Sequence, residues 1–252
     1  MATLRQCLVP LHSECFCRVL TERLERGLAA FATTVLGAER GDWITKLARI
    51  RLLEEIRPLG DDFWRRPIFI HIPKTAGSAV LRLPGGISCV FGHRPYRYYE
   101  RRKPSDLPMP TTFTVVRHPY ARLLSAYYYL KGGGNNGLDS VWARRHLHEF
   151  SDVNDFVRRG LPRLSIRRFM HFRPQWWYLV DASGHPAVKH VLYHERLSEE
   201  WPAFAEAAGL PDSLPRVNVS GGGSRVAELT DSSKLTIARL YRRDFEELGY
   251  EA

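Results

Sequence analysis

Residues 71–78 read His-Ile-Pro-Lys-Thr-Ala-Gly-Ser. The apolar run Pro67–Ile72 has the pattern of a short strand, and the residues after Gly77 have that of a helix. Backbone N–H groups at such a strand-to-helix turn point outward and favour an anion. Gly77 allows the chain to come close to a phosphate, Thr75 and Ser78 offer hydroxyl donors, and Lys74 brings a mobile cation. The segment reads as a phosphate cradle but departs from G-x-x-x-x-G-K-[ST]. Lys74 precedes Gly77, and position 70 is Ile where that motif needs its first glycine. Taken alone, it also fits an ordinary strand–turn–helix junction carrying a surface lysine.

A second constellation is Thr114-Val-Val-Arg-His-Pro-Tyr120, followed by Arg122 and Ser125. Arg117 ends a β-branched run, and ligands of open α/β sheets bind at the carboxyl ends of strands. Ser125 falls two turns into the helix that Pro119 opens, and a guanidinium with a hydroxyl can grip one phosphate. A third is Gly92-His93, just after the apolar stretch Ile87–Phe91. An imidazole has a pKa near working pH without tuning, which suits a base for a hydroxyl nucleophile. The chain has ten histidines, so one alone carries little weight. His71, expected to be buried on the first strand, and His118, expected to order the turn beside Arg117, are the rivals.

The elements that must position these residues follow from periodicity and turn chemistry. Strands are expected over Pro67–Ile72, Ile87–Phe91, Thr111–Val116 and Val188–Tyr193, with helices between them. Pro119–Leu130 is one helix. Ser198 is placed to cap another, with Glu199 and Glu200 in its first turn. Leu229–Leu248 reads as a closing amphipathic helix. Gly132–Gly137 is a linker or a lid, and Gly221–Ser224 is a second loop. Cys15–Ile56 has helical spacing with a break at Gly41 and carries no readable chemistry. Strands alternating with helices predict an α/β fold, a mainly parallel sheet of about four or five strands flanked by helices. The domain expectation is a helical N-terminal extension over 1–65 and a catalytic domain over 66–252.

The chain has 252 residues and a net charge of +10. Six arginine doublets are dispersed along it, from Arg65-Arg66 to Arg242-Arg243, without a nucleic-acid module, so nucleic acid is not expected as a partner. Of the four cysteines, Cys7, Cys15 and Cys17 crowd the N-terminus with His12, in a spacing that fits no structural zinc pattern. Free thiols point to a reducing, cytoplasmic setting. No run of about 18 apolar residues is present, and the first twenty residues lack the apolar stretch of a secretory signal.

Together the motifs resemble those of sulfotransferases that use 3′-phosphoadenosine-5′-phosphosulfate (PAPS). Pro73–Ser78 looks like their 5′-phosphosulfate loop, and Thr114–Tyr120 with Ser125 like their 3′-phosphate element. Leu214–Asn218 and the tail Leu240–Tyr250 also resemble that family, so the likeness spans residues 66–250. It is nearest to carbohydrate sulfotransferases of the heparan 2-O type and bacterial relatives. The resemblance implies a P-loop-NTPase-like core. It implies that Lys74, Thr75, Ala76, Gly77 and Ser78 hold the 5′-phosphosulfate, with Lys74 neutralising the bridging oxygen. It further implies that Arg117, Ser125 and Arg225 hold the 3′-phosphate, and that His93 is the catalytic base. The acceptor it implies is a glycan or glycolipid hydroxyl, with no metal required. Phe172–Tyr178 falls where relatives vary for acceptor binding, and its aromatics fit a sugar platform or the core. Two other readings exist. An ATP-dependent kinase would need an acidic magnesium ligand where Arg117 stands. A non-catalytic polyanion binder would not need Lys74, His93, Arg117 and Ser125 in this order.

Overall fold

The run Thr112-Phe-Thr-Val-Val is β-branched or aromatic throughout, and every residue of it is buried. A strand hidden on both faces belongs at the centre of a parallel sheet. In the computed structural model, which describes residues 59–90, 92–134, 137–215 and 224–252, it does. Three parallel strands lie in the order β1 (Ile68–Phe69), β2 (Thr112–Val116), β3 (His190–Tyr193). The register pairs Phe69 with Phe113, and Val116 with Tyr193. The expected helical stretch over Cys15–Ile56 lies outside the described residues, as do Phe91, Asn135, Asn136 and 216–223. Gly60–Ala252 forms one compact unit.

Two of the expected strands are shorter than their apolar runs. Pro67 has no N–H to give a ladder. Beyond Ile70, whose N–H reaches the Phe113 carbonyl at 2.8 Å, the chain leaves the ladder and its carbonyls turn to side chains. The run Ile87–Phe91 contributes only a parallel bridge at Ser88 to Ile68, closed by Phe69 N–H to the Ser88 carbonyl (2.8 Å). Its glycine neighbours Gly85, Gly86 and Gly92 all have positive φ and bend it away on both sides. The described sheet therefore has three strands and one bridge in place of four or five strands.

The helices flanking the sheet range from short turns to the 13 residues of Pro119–Lys131. In chain order the ones that matter are α1 (Gly77–Val80), α2 (Tyr96–Glu100), α3 (Pro119–Lys131), α4 (Gly137–His146), α5 (Trp176–Leu179), α6 (Leu197–Ala208), α7 (Asp231–Leu240) and α8 (Arg242–Leu248). Proline stands at the start of α3, and the His118 side chain accepts from Tyr120 N–H as its cap. One face of the sheet packs Phe113 and Val115 against Trp201, Phe204 and Ala205 of α6. A second apolar cluster joins Leu123, Leu124 and Tyr127 of α3 to Ile237, Tyr241 and Phe245.

Two boundaries differ from expectation. Helix α6 begins at Leu197 with Arg196 as its cap residue, so Ser198 lies inside the first turn. The acidic Glu199 and Glu200 beside it still suit the dipole. The closing helix is two helices. Tyr241 (φ −111°, ψ 27°) breaks it, because its buried hydroxyl is drawn to the Phe172 carbonyl at 2.7 Å. No helix among the described residues is long and apolar enough to cross a membrane.

Candidate active site

The turn between β1 and α1 is built from unusual backbone. Lys74 (φ 70°) and Ala76 (φ 73°) are left-handed, on either side of Thr75. Each costs about 1–2 kcal/mol in an L-residue, and such strain collects at functional sites. Left-handed residues among right-handed ones turn successive N–H groups to one concave side, which suits an anion. Gly77 has a second reason to lack a side chain. Its φ is ordinary, and an added Cβ would lie 1.9 Å from His71 Nε2, so the glycine is needed because an imidazole rests on it. The Thr75 hydroxyl is buried and donates to the Ile72 carbonyl (2.9 Å), so what Thr75 leaves for a phosphate is its N–H. Ser78 is exposed.

His93 (φ 56°) follows Gly92 and comes back over this turn. Its Nδ1 lies 3.1 Å from the His71 carbonyl oxygen. A carbonyl only accepts, so Nδ1 carries the proton and Nε2 keeps the lone pair. The ring is 4.1 Å from that of His71 and 6.2 Å from that of His171. Burial first, and then His171, push the His93 pKa down to about 4. In place of the untuned imidazole expected from sequence, the structure has a weaker base that stays neutral at physiological pH. His71, half-buried and stacked on Phe69, is held well below 6.5 by desolvation first and then by His93.

A network absent from the motif reading lines the other side. His171 Nε2 meets Asp139 Oδ1 at 3.3 Å, and Tyr129 Oη donates to Asp139 Oδ2 at 2.7 Å. Lys74 Nζ lies 3.9 Å from the centre of the Tyr129 ring. Burial, and then the charge of Arg117, lower the Lys74 pKa to about 8. Asp139 and His171 are 32 residues apart, and Asp139 follows the glycine-rich loop, so no local pattern could have paired them.

Arg117 is 4% exposed. Its Nη1 donates to the Lys74 carbonyl (3.3 Å), and its charge faces Glu195 and Tyr250. Gln175 grips its backbone on both sides: Arg117 N–H donates to Oε1 (2.9 Å) and Nε2 donates to the Arg117 carbonyl (2.7 Å). Gln175 and Trp176 N–H in turn donate to Asp244, both at 2.8 Å. His118 does order the turn, as expected: besides capping α3, its N–H donates to Glu195 at 2.8 Å. Ser125 is half-buried on α3, one turn past the buried Arg122. Arg225 lies over the ring of Tyr128 (4.2 Å), one turn past Ser125, which brings it to the same helix.

The aromatics of 172–178 divide. Phe172, Trp176 and Tyr178 are core, and half-buried Trp177 lies between Arg97 (4.2 Å) and Arg173 (3.9 Å). Among the described residues no group of three or more His, Cys, Asp or Glu is gathered as for a metal ion. Cys89 is a free thiol that burial pushes up to about 12, while Cys7, Cys15 and Cys17 lie outside the described residues.

The arrangement offers an anion cradle, two cations and a neutral imidazole with one free nitrogen, all at the carboxyl ends of β1 and β2. A sequence model of the Sulfotransferase family matches residues 68–251. No curated protein matches the chain.

Proposed function

The chain belongs to the sulfotransferase family, and we propose that it moves a sulfuryl group from PAPS to a hydroxyl of a carbohydrate or glycolipid, with His93 as general base. The observation that carries this reading is the bond from His93 Nδ1 to the His71 carbonyl. It ties the base to the very turn that would hold the phosphosulfate and leaves Nε2 as the proton acceptor.

In this reading the donor supplies the activated sulfuryl group. The N–H groups of 75–78 hold its 5′-phosphate, and Arg117, Ser125 and Arg225 hold its 3′-phosphate. Nε2 of His93 takes the acceptor proton as the acceptor oxygen bonds to sulfur. Lys74 meets the charge that grows on the bridging oxygen as the sulfur–oxygen bond breaks, leaving 3′-phosphoadenosine-5′-phosphate. Cations and dipoles fixed before the reaction are the largest source of rate in such sites.

The test has two parts. Calorimetry should show adenosine 3′,5′-bisphosphate binding at least about tenfold more tightly than AMP, a difference of ~1.4 kcal/mol, and Arg117→Ala should erase that preference. Incubation with PAPS labelled in its sulfuryl group should label a carbohydrate or glycolipid from an acceptor panel. Equal affinity for the two nucleotides sinks the donor assignment.

A further inference from the structure

Each backbone carbonyl from Ile70 to Lys74 is taken by a side chain. Thr114 Oγ1 donates to Ile70 (2.8 Å), His93 Nδ1 to His71 (3.1 Å) and Thr75 Oγ1 to Ile72 (2.9 Å). Arg122 Nε donates to Pro73 (3.1 Å), and Arg117 Nη1 to Lys74 (3.3 Å). A carbonyl oxygen facing a bound anion repels it, so a loop that binds one must turn its carbonyls away and keep them away. The two carbonyls at the left-handed Lys74, its own and the one before it, are held by guanidinium groups. Both guanidiniums come from the junction of β2 and α3.

Arg122 has no other evident reason to be there. It is 2% exposed, and its Nη2 is buried without a partner. A buried guanidinium kept only for stability would be expected in an ion pair. Asp244 is the buried carboxylate whose charge it feels, but the two Asp244 oxygens are engaged by the Gln175 and Trp176 N–H groups. No Arg122–Asp244 ion pair forms among the described residues; the bond it does make is to the loop.

We infer that Arg122 is a positioning residue for donor binding: by holding the Pro73 carbonyl it keeps the 73–76 turn in the conformation that presents its N–H groups to the 5′-phosphosulfate. The inference rests on the donor reading above. Arg122 acts through the loop and does not touch the donor itself. Its contribution is therefore specific to the 5′ end of the nucleotide.

The experiment compares adenosine 3′,5′-bisphosphate with adenosine 3′-monophosphate by calorimetry on the full chain. In the wild type the bisphosphate should bind at least about tenfold more tightly. Arg122→Lys retains the charge beside Asp244 but not the planar fork. It should reduce that gap to within about threefold while leaving affinity for the 3′-monophosphate unchanged. Should the Lys variant not fold, Arg122→Met, which keeps the apolar stem, is compared in the same way, with a thermal melt as the check on folding. A gap as wide in the variant as in the wild type overturns the inference, as does an equal loss for both nucleotides. Failure of both variants to fold also overturns it, since Arg122 is then a residue of the core. A wild type with no gap sinks the donor reading itself, and this inference with it.

Discussion

His93 and Lys74 have been moved in the same direction from their ordinary pKa values, with opposite consequences for activity. His93 must be neutral to take a proton, and with a pKa of about 4 it is neutral throughout the physiological range. Lys74 must be protonated to meet developing charge, and at about 8 it begins to lose its proton not far above neutrality. The pH dependence of kcat/KM for the donor reports groups of the free enzyme. It should therefore be bell-shaped, with an acid limb near His93 and an alkaline limb near Lys74. Lys74→Arg should remove the alkaline limb, because a guanidinium stays charged throughout. His93→Ala should lower kcat by roughly 10²-fold or more. An acid limb near the ordinary histidine value, or near-normal turnover in His93→Ala, would assign the base elsewhere. His171, half a network away and tied to Asp139, would then be the next residue to replace.

The turn from β1 into α1 works as an element through two neighbours with opposite requirements. Ala76 is left-handed but has a Cβ, whereas Gly77 has ordinary φ but no room for one. Gly77→Ala would drive its methyl into His71 Nε2. Overpacking of this kind costs about 1–3 kcal/mol, and His71 must leave its place over the turn. The variant should melt earlier and bind adenosine 3′,5′-bisphosphate more weakly. Ala76→Gly relieves a left-handed cost of about 1–2 kcal/mol. Against that stands about 0.4–1 kcal/mol of extra freedom in the unfolded chain. Its stability should hold or rise slightly. Chemical denaturation of the two variants beside the wild type checks both signs, and the reverse order would mean that His71 does not rest on Gly77.

At the scale of the molecule, the last helix is wired to the site. Asp244 on α8 is fully buried and accepts from Gln175 and Trp176, and Gln175 holds the backbone of Arg117 from both sides. Burial raises the Asp244 carboxyl, and the two N–H donors oppose that rise. Asp244→Ala would strand two buried amides, each at a cost of about 1–3 kcal/mol. For a domain of this size each kcal/mol lowers the melting temperature by about 2–4 °C. A drop of several degrees together with weaker 3′-phosphate recognition is the expected result, although Asp244 touches no part of the cradle. Loss of stability with nucleotide preference intact would show that the Gln175 link does not govern Arg117.

Local features of the chain are set by residues within a turn of one another, and these were legible from sequence. Pro119 opens α3, the β-branched run ends at Val116, and the 73–78 turn with Arg117 and Ser125 carries the resemblance to the family whose model matches 68–251. The strand ends before Lys74 and Arg117 also place these two together, where Arg117 Nη1 meets the Lys74 carbonyl. Tertiary structure decided the rest, because the deciding bonds join residues far apart in sequence. His93 reaches His71 across 22 positions, Arg122 reaches Pro73 across 49, and Gln175 reaches Arg117 across 58. Periodicity cannot show such pairings, so it overestimated β1, whose carbonyls go to side chains, and missed Asp139 with His171. Nor can it show that a neighbouring imidazole is what excludes a side chain at Gly77.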